Sequence, residues 1–92
     1  MGYRIVILPT ADIHISELPK EIRKRVYTRL TWLEENAEQI IHHALVGMPS
    51  HLAGLCKLRC GDYRILYWKY PTEHLIEVFS VRHRSEVYRK LK

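Results

Sequence analysis

The sequence has few of the features that announce a cofactor, a metal or a membrane. It contains two cysteines among 92 residues, Cys56 and Cys60. On an extended strand these would sit about 13 Å apart, well beyond the ~7 Å between Cα atoms that a disulfide tolerates. They are therefore expected to be free, buried thiols, which suits a reducing cytoplasm. A lone C-x-x-x-C without a second ligand pair is a poor zinc signature. No run of about 18 apolar residues exists, so no transmembrane helix is expected. The opening MGYRIVILPTADIH has neither the apolar length nor the small-residue site of a signal peptide, and lacks the Ser or Thr of a myristoylation site. A glycine-rich phosphate loop, a Ser-His-Asp arrangement and an H-E-x-x-H helix are all missing. So is a carboxylate cluster that could hold a metal, and no cofactor is expected. There is no internal repeat, linker or low-complexity segment, and the length fits a single domain over residues 1–92.

What is plentiful is positive charge, unevenly placed. The chain carries 15 Lys/Arg and 10 Asp/Glu, for a net charge of +5 and a pI near 9.4. Residues 1–50 balance six Lys/Arg against six acids, whereas residues 51–92 hold nine against four, so the entire excess lies in the second half. Hydrophobic content of 47% with 27% charged residues fits a folded globule rather than a disordered chain. The basic half points to a polyanionic partner, either nucleic acid or an acidic protein segment.

Periodicity outlines the elements. Residues 3–8, YRIVIL, read as a strand ended by Pro9. Thr10 to Leu18, with Ala11, Ile15 and Leu18 at helical spacing, reads as a short helix stopped before Pro19. Pro19 suits the first turn of a longer helix, whose apolar stripe is Ile22, Val26, Leu30, Leu33 and Ala37, with a break near Asn36. Lys20, Glu21, Arg23, Lys24, Arg25, Arg29, Glu34 and Glu35 fall on its other side, a solvated face by default. Ile40, Ile41 and Ala44 suggest a further short turn, and Gly47, Pro49 and Gly54 mark a loop. Three strands follow: Leu55–Cys60, Tyr63–Tyr70 and His74–Arg82. Gly61-Asp62 and Pro71-Thr72-Glu73 form the turns between them. Ser85 can cap a last helix, Glu86–Leu91, with its acid first and bases last. The sum is an α+β fold: an N-terminal helical hairpin packed on a mostly antiparallel four-stranded β-sheet, with a short C-terminal helix.

The hairpin CKLRCGDYRILYWK, residues 56–69, carries the functional hint. With Gly61-Asp62 as a two-residue loop, Cys60 faces Tyr63, Arg59 faces Arg64, Leu58 faces Ile65 and Lys57 faces Leu66. Alternation then puts Cys56, Leu58, Cys60, Tyr63, Ile65 and Tyr67 on the core face, and Lys57, Arg59, Arg64, Leu66 and Trp68 on the other. Two arginines directly across a strand pair repel, so an anion belongs between them unless they splay into water or pair with Glu77. The assignment depends on register, since a one-residue slip exchanges the faces. The segment SVRHRSEVYRK, residues 80–90, can bring Arg82, His83, Arg84 and Tyr88 to the same face. Cations for phosphate, an imidazole titrating near neutrality and aromatic rings for stacking favour RNA chemistry or RNA binding without a metal. His42 and His43 are adjacent and read as surface or boundary residues, and His14, His51 and His74 are isolated.

Two blocks, K-L-R-x-G-D-Y-R-I-x-Y (57–67) and H-R-S-E-V-Y (83–88), with Leu45-Val46-Gly47 before them, resemble the RelE/ParE superfamily of toxin–antitoxin toxins, nearer its RelE branch. The resemblance runs along essentially the whole chain. It implies a ribosome-dependent endoribonuclease that cuts messenger RNA through attack of a 2′-hydroxyl on the adjacent phosphate. It also implies a cytoplasmic protein held inactive by a cognate antitoxin with an acidic, partly disordered segment. Lys57 and Arg64 match a basic pair at the scissile phosphate, Arg84 a second phosphate-binding arginine, and Tyr88 a tyrosine near the attacking hydroxyl. His83 is a further candidate for proton transfer, and Arg82 competes with Arg84. Arg59, Arg82, Lys69 and Arg89 are candidates for RNA binding. Leu55 departs from the pattern, standing where the best-known members carry another lysine. Two other readings follow: a ParE-like toxin that inhibits gyrase by protein binding, and a catalytically weak basic binding relative.

Overall fold

The computed structural model describes residues 2–91. The chain runs β1 (Arg4–Ile7), α1 (Pro9–Ser16), α2 (Lys20–Asn36), β2 (His43–Ala44), β3 (Cys56–Cys60), β4 (Tyr63–Tyr70), β5 (Leu75–His83) and α3 (Val87–Leu91), with 3₁₀ turns at Ser50–Leu52 and Arg84–Glu86. The strands form one sheet in the order β1-β5-β4-β3-β2, with β1 parallel to β5 and every other pair antiparallel.

Proline sets both helix starts. Pro9 occupies the first turn of α1, where its missing N–H would have no partner anyway. Pro19 precedes α2, and its carbonyl accepts from Arg23 N–H at 2.9 Å. The two helices lay Ala11, Ile15, Val26, Leu30, Leu33 and Ala37 against one face of the sheet. There they meet Cys56, Leu58, Cys60, Ile65, Tyr67, Ile76, Val78 and Val81. The apolar stripe read from the sequence is thus the buried one, except that Ile22 is only partly covered.

The sheet has five strands rather than four. The stretch around Ala44 is not a helical turn: His43 and Ala44 pair with Lys57 and Cys56 as a two-residue edge strand. Just before it, His42 ties three elements together, its Nδ1 lying 2.6 Å from Tyr67 Oη and its Nε2 2.7 Å from the Ala37 carbonyl. The carbonyl can only accept, so Nε2 carries the proton and Nδ1 accepts from the phenol. Burial pushes the Tyr67 phenol well above its ordinary value of 10, which keeps it the donor. His42 is therefore a half-buried structural residue at the boundary between core and surface.

The hairpin has the expected register, with Cys60 opposite Tyr63, Arg59 opposite Arg64, Leu58 opposite Ile65 and Lys57 opposite Leu66. Gly61 takes φ +60° and Asp62 does not share the positive φ, the pattern of a II′ turn. The β4–β5 ladder is less regular. Leu66 faces Ser80 and Tyr67 faces Val78, which leaves Phe79 as an extra residue in β5. The second face of the sheet is not bare. Leu45, Leu52, Leu55, Leu66 and Val87 form a smaller apolar cluster there, flanked by Met48, Trp68 and Phe79. This cluster docks α3 beside the exposed cations of the hairpin.

Candidate active site

Lys57, Arg64, Arg84, Val87 and Tyr88 line one open pocket of about 190 Å³. Strand alternation puts Lys57 and Arg64 on this face, on neighbouring strands and two ladder steps apart. Arg84 and Tyr88 come from the 3₁₀ turn and α3 that follow β5. Val87, 3% exposed, plugs α3 into the Leu55–Leu66 cluster and so sets Tyr88 at the pocket rim, 40% exposed. An adjoining cavity of about 240 Å³ is lined by His43, Lys57, Arg59 and Arg64. His43 enters this neighbourhood only through the short β2 strand, which the sequence does not signal.

The β3–β4 turn holds two of the cations. Arg64 Nη1 donates to the carbonyls of Gly61 at 3.0 Å and Tyr63 at 2.8 Å. This is how Arg64 tolerates Arg59 directly opposite, since its guanidinium is drawn toward backbone oxygens at the end of the hairpin. Glu77 takes no part, because it lies across from Trp68 rather than Arg64. The backbone N–H of Arg84 donates to the Asp62 carbonyl at 2.8 Å, and its Nε lies 3.9 Å from Asp62 Oδ1. That separation is an ion pair but too long for a hydrogen bond. Asp62 is the acid that the sequence motif carried without a role.

Other candidates fall elsewhere. His83 does not join the pocket: it faces Tyr63 across the ladder, on the helix side of the sheet, and its ring sits edge-on to the tyrosine at 5.4 Å. Its Nδ1 accepts from Ser85 N–H at 3.3 Å and lies 2.9 Å from Ser85 Oγ. His83 is thus the cap of the 3₁₀ turn, and Ser85, expected to cap the last helix, lies inside that turn. Arg82 stands across from Arg64, yet its side chain lines a separate cavity with His14, Glu17 and His83. Its Nε is buried without a partner. Burial, and then the Arg82 charge, hold the His14 imidazole below its ordinary 6.5, against a smaller opposing pull from Glu17. Of the two competing arginines, Arg84 is the one beside Lys57 and Arg64. Lys69 pairs with Ile76 toward the far end of β4, and its charge is felt at Cys56 rather than in the pocket. Arg89 is exposed on α3, next to Tyr88 and outside the pocket lining.

Leu55 is fully buried in the second apolar cluster. It belongs to that cluster and lines neither of the two cationic cavities. Cys56 and Cys60 are free and buried, and burial raises both thiols above 9.0 against the opposing charges of Lys69 and of Arg29 and Arg25 respectively. Among the described residues, no three of His, Cys, Asp and Glu are placed to hold a metal ion, and no helix is long and apolar enough to cross a membrane.

Comparison with known proteins gives the same outline. The family model of the ParE toxin of the type II toxin–antitoxin system parDE matches residues 5–88. A chain of the toxin–antitoxin complex RelBE2 from Mycobacterium tuberculosis superposes with a TM-score of 0.76 at 25% identity, over 91% of this chain and 100% of that one. The isolated RelE toxin of Escherichia coli gives 0.68 at 27% identity, over 97% and 94%. The archaeal RelE–RelB complex from Pyrococcus horikoshii shares the fold, with 0.69 at 23% identity over 91% and 97%. No curated protein matches by sequence. A family match over nearly the full length, on a sheet and helical hairpin of RelE type, means that this chain belongs to the RelE/ParE superfamily of type II toxin–antitoxin toxins.

Proposed function

We propose that the protein is a ribosome-dependent messenger RNA endonuclease of the RelE kind. The observation that carries this reading is the convergence of Lys57, Arg64, Arg84 and Tyr88 on one pocket. Three cations on separate segments leave a concavity suited to a phosphate, with a phenol at its rim.

In this mechanism the nucleophile is already on the substrate. The 2′-hydroxyl attacks its own adjacent phosphorus, the P–O5′ bond breaks, and the products are a 2′,3′-cyclic phosphate and a free 5′-hydroxyl. The protein has to bend the backbone into line and absorb charge. Lys57, Arg64 and Arg84 stabilise the extra negative charge of the phosphorane, at about 3 kcal/mol per well-placed donor. Arg64 is pre-oriented by its two turn carbonyls, and the segment carrying Arg84 is docked by its backbone N–H on the Asp62 carbonyl. Tyr88 or Lys57 moves the protons. His83, engaged with Ser85 on the other face, takes no part. The site lacks a matched acid and base, which fits reliance on the ribosome to supply the in-line geometry.

A cognate antitoxin with an acidic segment is the expected partner, since it would neutralise the basic second half of the chain. Relatives of known structure are seen in complexes of this kind. The decisive experiment is in vitro translation of an end-labelled message with and without ribosomes, reading cut positions and end chemistry. Arg64→Ala should abolish cleavage with the fold intact, and undiminished cutting by a folded Arg64→Ala protein would refute the assignment. The family match to ParE favours a second reading, inhibition of gyrase through protein contact. That reading predicts DNA damage with intact messages. A weak, non-cleaving relative, which the loss of lysine at Leu55 invites, predicts harmless overexpression without antitoxin.

A further inference from the structure

The α2 face read as solvated is not an ordinary helix surface. Lys24, Arg25, Thr28, Arg29 and Trp32 form one wall of a groove of roughly 530 Å³, and Arg59, Cys60 and Gly61 of the hairpin end form the other. The groove holds four cations, Lys24, Arg25, Arg29 and Arg59, against one acid, Glu21. Arg29 is fixed in place. Its Nε donates to the Arg59 carbonyl at 2.9 Å, and its guanidinium carbon sits 4.1 Å from the centre of the Trp32 ring. Lys24 and Arg25 are exposed, with their charges free to face a ligand.

Arg59 lines this groove and also the cavity of His43, Lys57 and Arg64, which in turn shares Lys57 and Arg64 with the Arg84–Tyr88 pocket. The three concavities are thus consecutive, linked by the shared residues Arg59, Lys57 and Arg64 around the end of the hairpin. We propose that the α2–hairpin groove is a second RNA-backbone site, holding phosphates of the same strand whose reacting phosphate occupies the Lys57–Arg64–Arg84 pocket. The proposal rests on the nuclease reading and extends it from one phosphate to a track.

The lining favours RNA over a protein helix. A helix docking in a groove needs apolar recesses for its anchors, yet the lining contains no Leu, Ile, Val, Met or Phe, and its one aromatic ring is already covered by Arg29. A phosphate backbone needs only cations in sequence, and Arg29 adds a guanidinium on which an unpaired base can stack. A strand reaching both ends gains from each site at once, because the second contact is intramolecular.

The test uses the full chain carrying Lys24→Gln and Arg25→Gln together, with its thermal midpoint measured beside the wild type. Gln is a good helix former and neither side chain is part of the pocket. Two probes separate the sites: a 2′-O-methyl trinucleotide, long enough for the pocket alone, and a 2′-O-methyl 20-mer. Loss of two phosphate contacts is expected to weaken the 20-mer about three- to tenfold near 0.1 M salt and to make its log–log salt slope shallower by about 1.4, with the trinucleotide unchanged. An unchanged 20-mer affinity and slope would overturn the proposal, as would equal weakening of both probes, which marks a diffuse field rather than a site. Weaker binding of an acidic antitoxin peptide with RNA binding intact would overturn it in favour of a protein dock. Failure of the nuclease reading looks different, because there the wild-type protein leaves the message uncut in the ribosome-containing translation assay, whatever it binds.

Discussion

Asp62→Asn is expected to make the pocket a better anion trap. Asp62 Oδ1 lies 3.9 Å from Arg84 Nε, and the two side chains are 72% and 63% exposed. Coulomb attraction at that distance is about 1 kcal/mol in water and a few times more at the lower effective dielectric of a protein surface. At this exposure the lower figure applies, and exposed pairs measured directly are worth about 0.2–1 kcal/mol. A phosphate arriving at Arg84 must displace or share that carboxylate. Removing its charge should therefore tighten binding of a non-cleavable oligonucleotide by about 0.5–1 kcal/mol, roughly two- to fivefold, with the gain shrinking as salt rises. The Asn keeps the backbone carbonyl that accepts from Arg84 N–H at 2.8 Å, so the segment carrying Arg84 should stay docked. Fluorescence anisotropy at low and high salt, with a thermal melt as control, reads the effect. Weaker binding by a folded Asp62→Asn protein would show that the carboxylate orients Arg84 more than it competes for it, and the reasoning would fail. The same titration on Asp62→Ala distinguishes loss of charge from loss of turn preference.

Two further outcomes concern the scaffold. His42→Ala leaves the Tyr67 phenol buried without its acceptor and the Ala37 carbonyl without its donor, so chemical denaturation should show a loss of about 1–3 kcal/mol; a change under about 0.5 kcal/mol would mean the network is dispensable. His14 is held below 6.5 in the folded protein by burial first and Arg82 second, so the folded state binds fewer protons than the unfolded state just below that pH. Its contribution is accordingly full above 6.5 and is lost as pH falls from 6.5 through the lower folded value. His14→Gln should flatten the acid side of the stability profile relative to wild type, and parallel profiles between pH 7.5 and pH 5 would contradict this.

The hairpin was the most legible part of the chain because its constraints are local and agree with one another. Gly61-Asp62 can close a two-residue turn, and once closed the turn determines which side chains share a face. Lys57 and Arg64 followed from that geometry, and Arg84 and Tyr88 from the H-R-S-E-V-Y block. Adjacency in sequence does not convey where a chain leaves a sheet: His83 is the last residue of β5, on the helix side, and Arg84 opens the 3₁₀ turn that carries the chain toward the other face. The β2 strand escaped notice because two residues carry no period. The α2 groove escaped because each of its cations, taken alone, is an ordinary solvated residue. Only the approach of the hairpin end, with Arg29 bonded to the Arg59 backbone, turns them into one wall.

The extra residue in β5 has a consequence for how this chain can vary. Ile76, Val78 and Val81 all reach the core, a spacing that strict alternation forbids and that Phe79 makes possible. Deleting one position between Val78 and Val81 would leave composition almost untouched, yet it would rotate everything downstream by half a pleat. Arg84 and Tyr88 would then arrive on the wrong side of the molecule. Length at this point, more than the identity of any single side chain, decides whether the C-terminal segment meets the sheet cations at all.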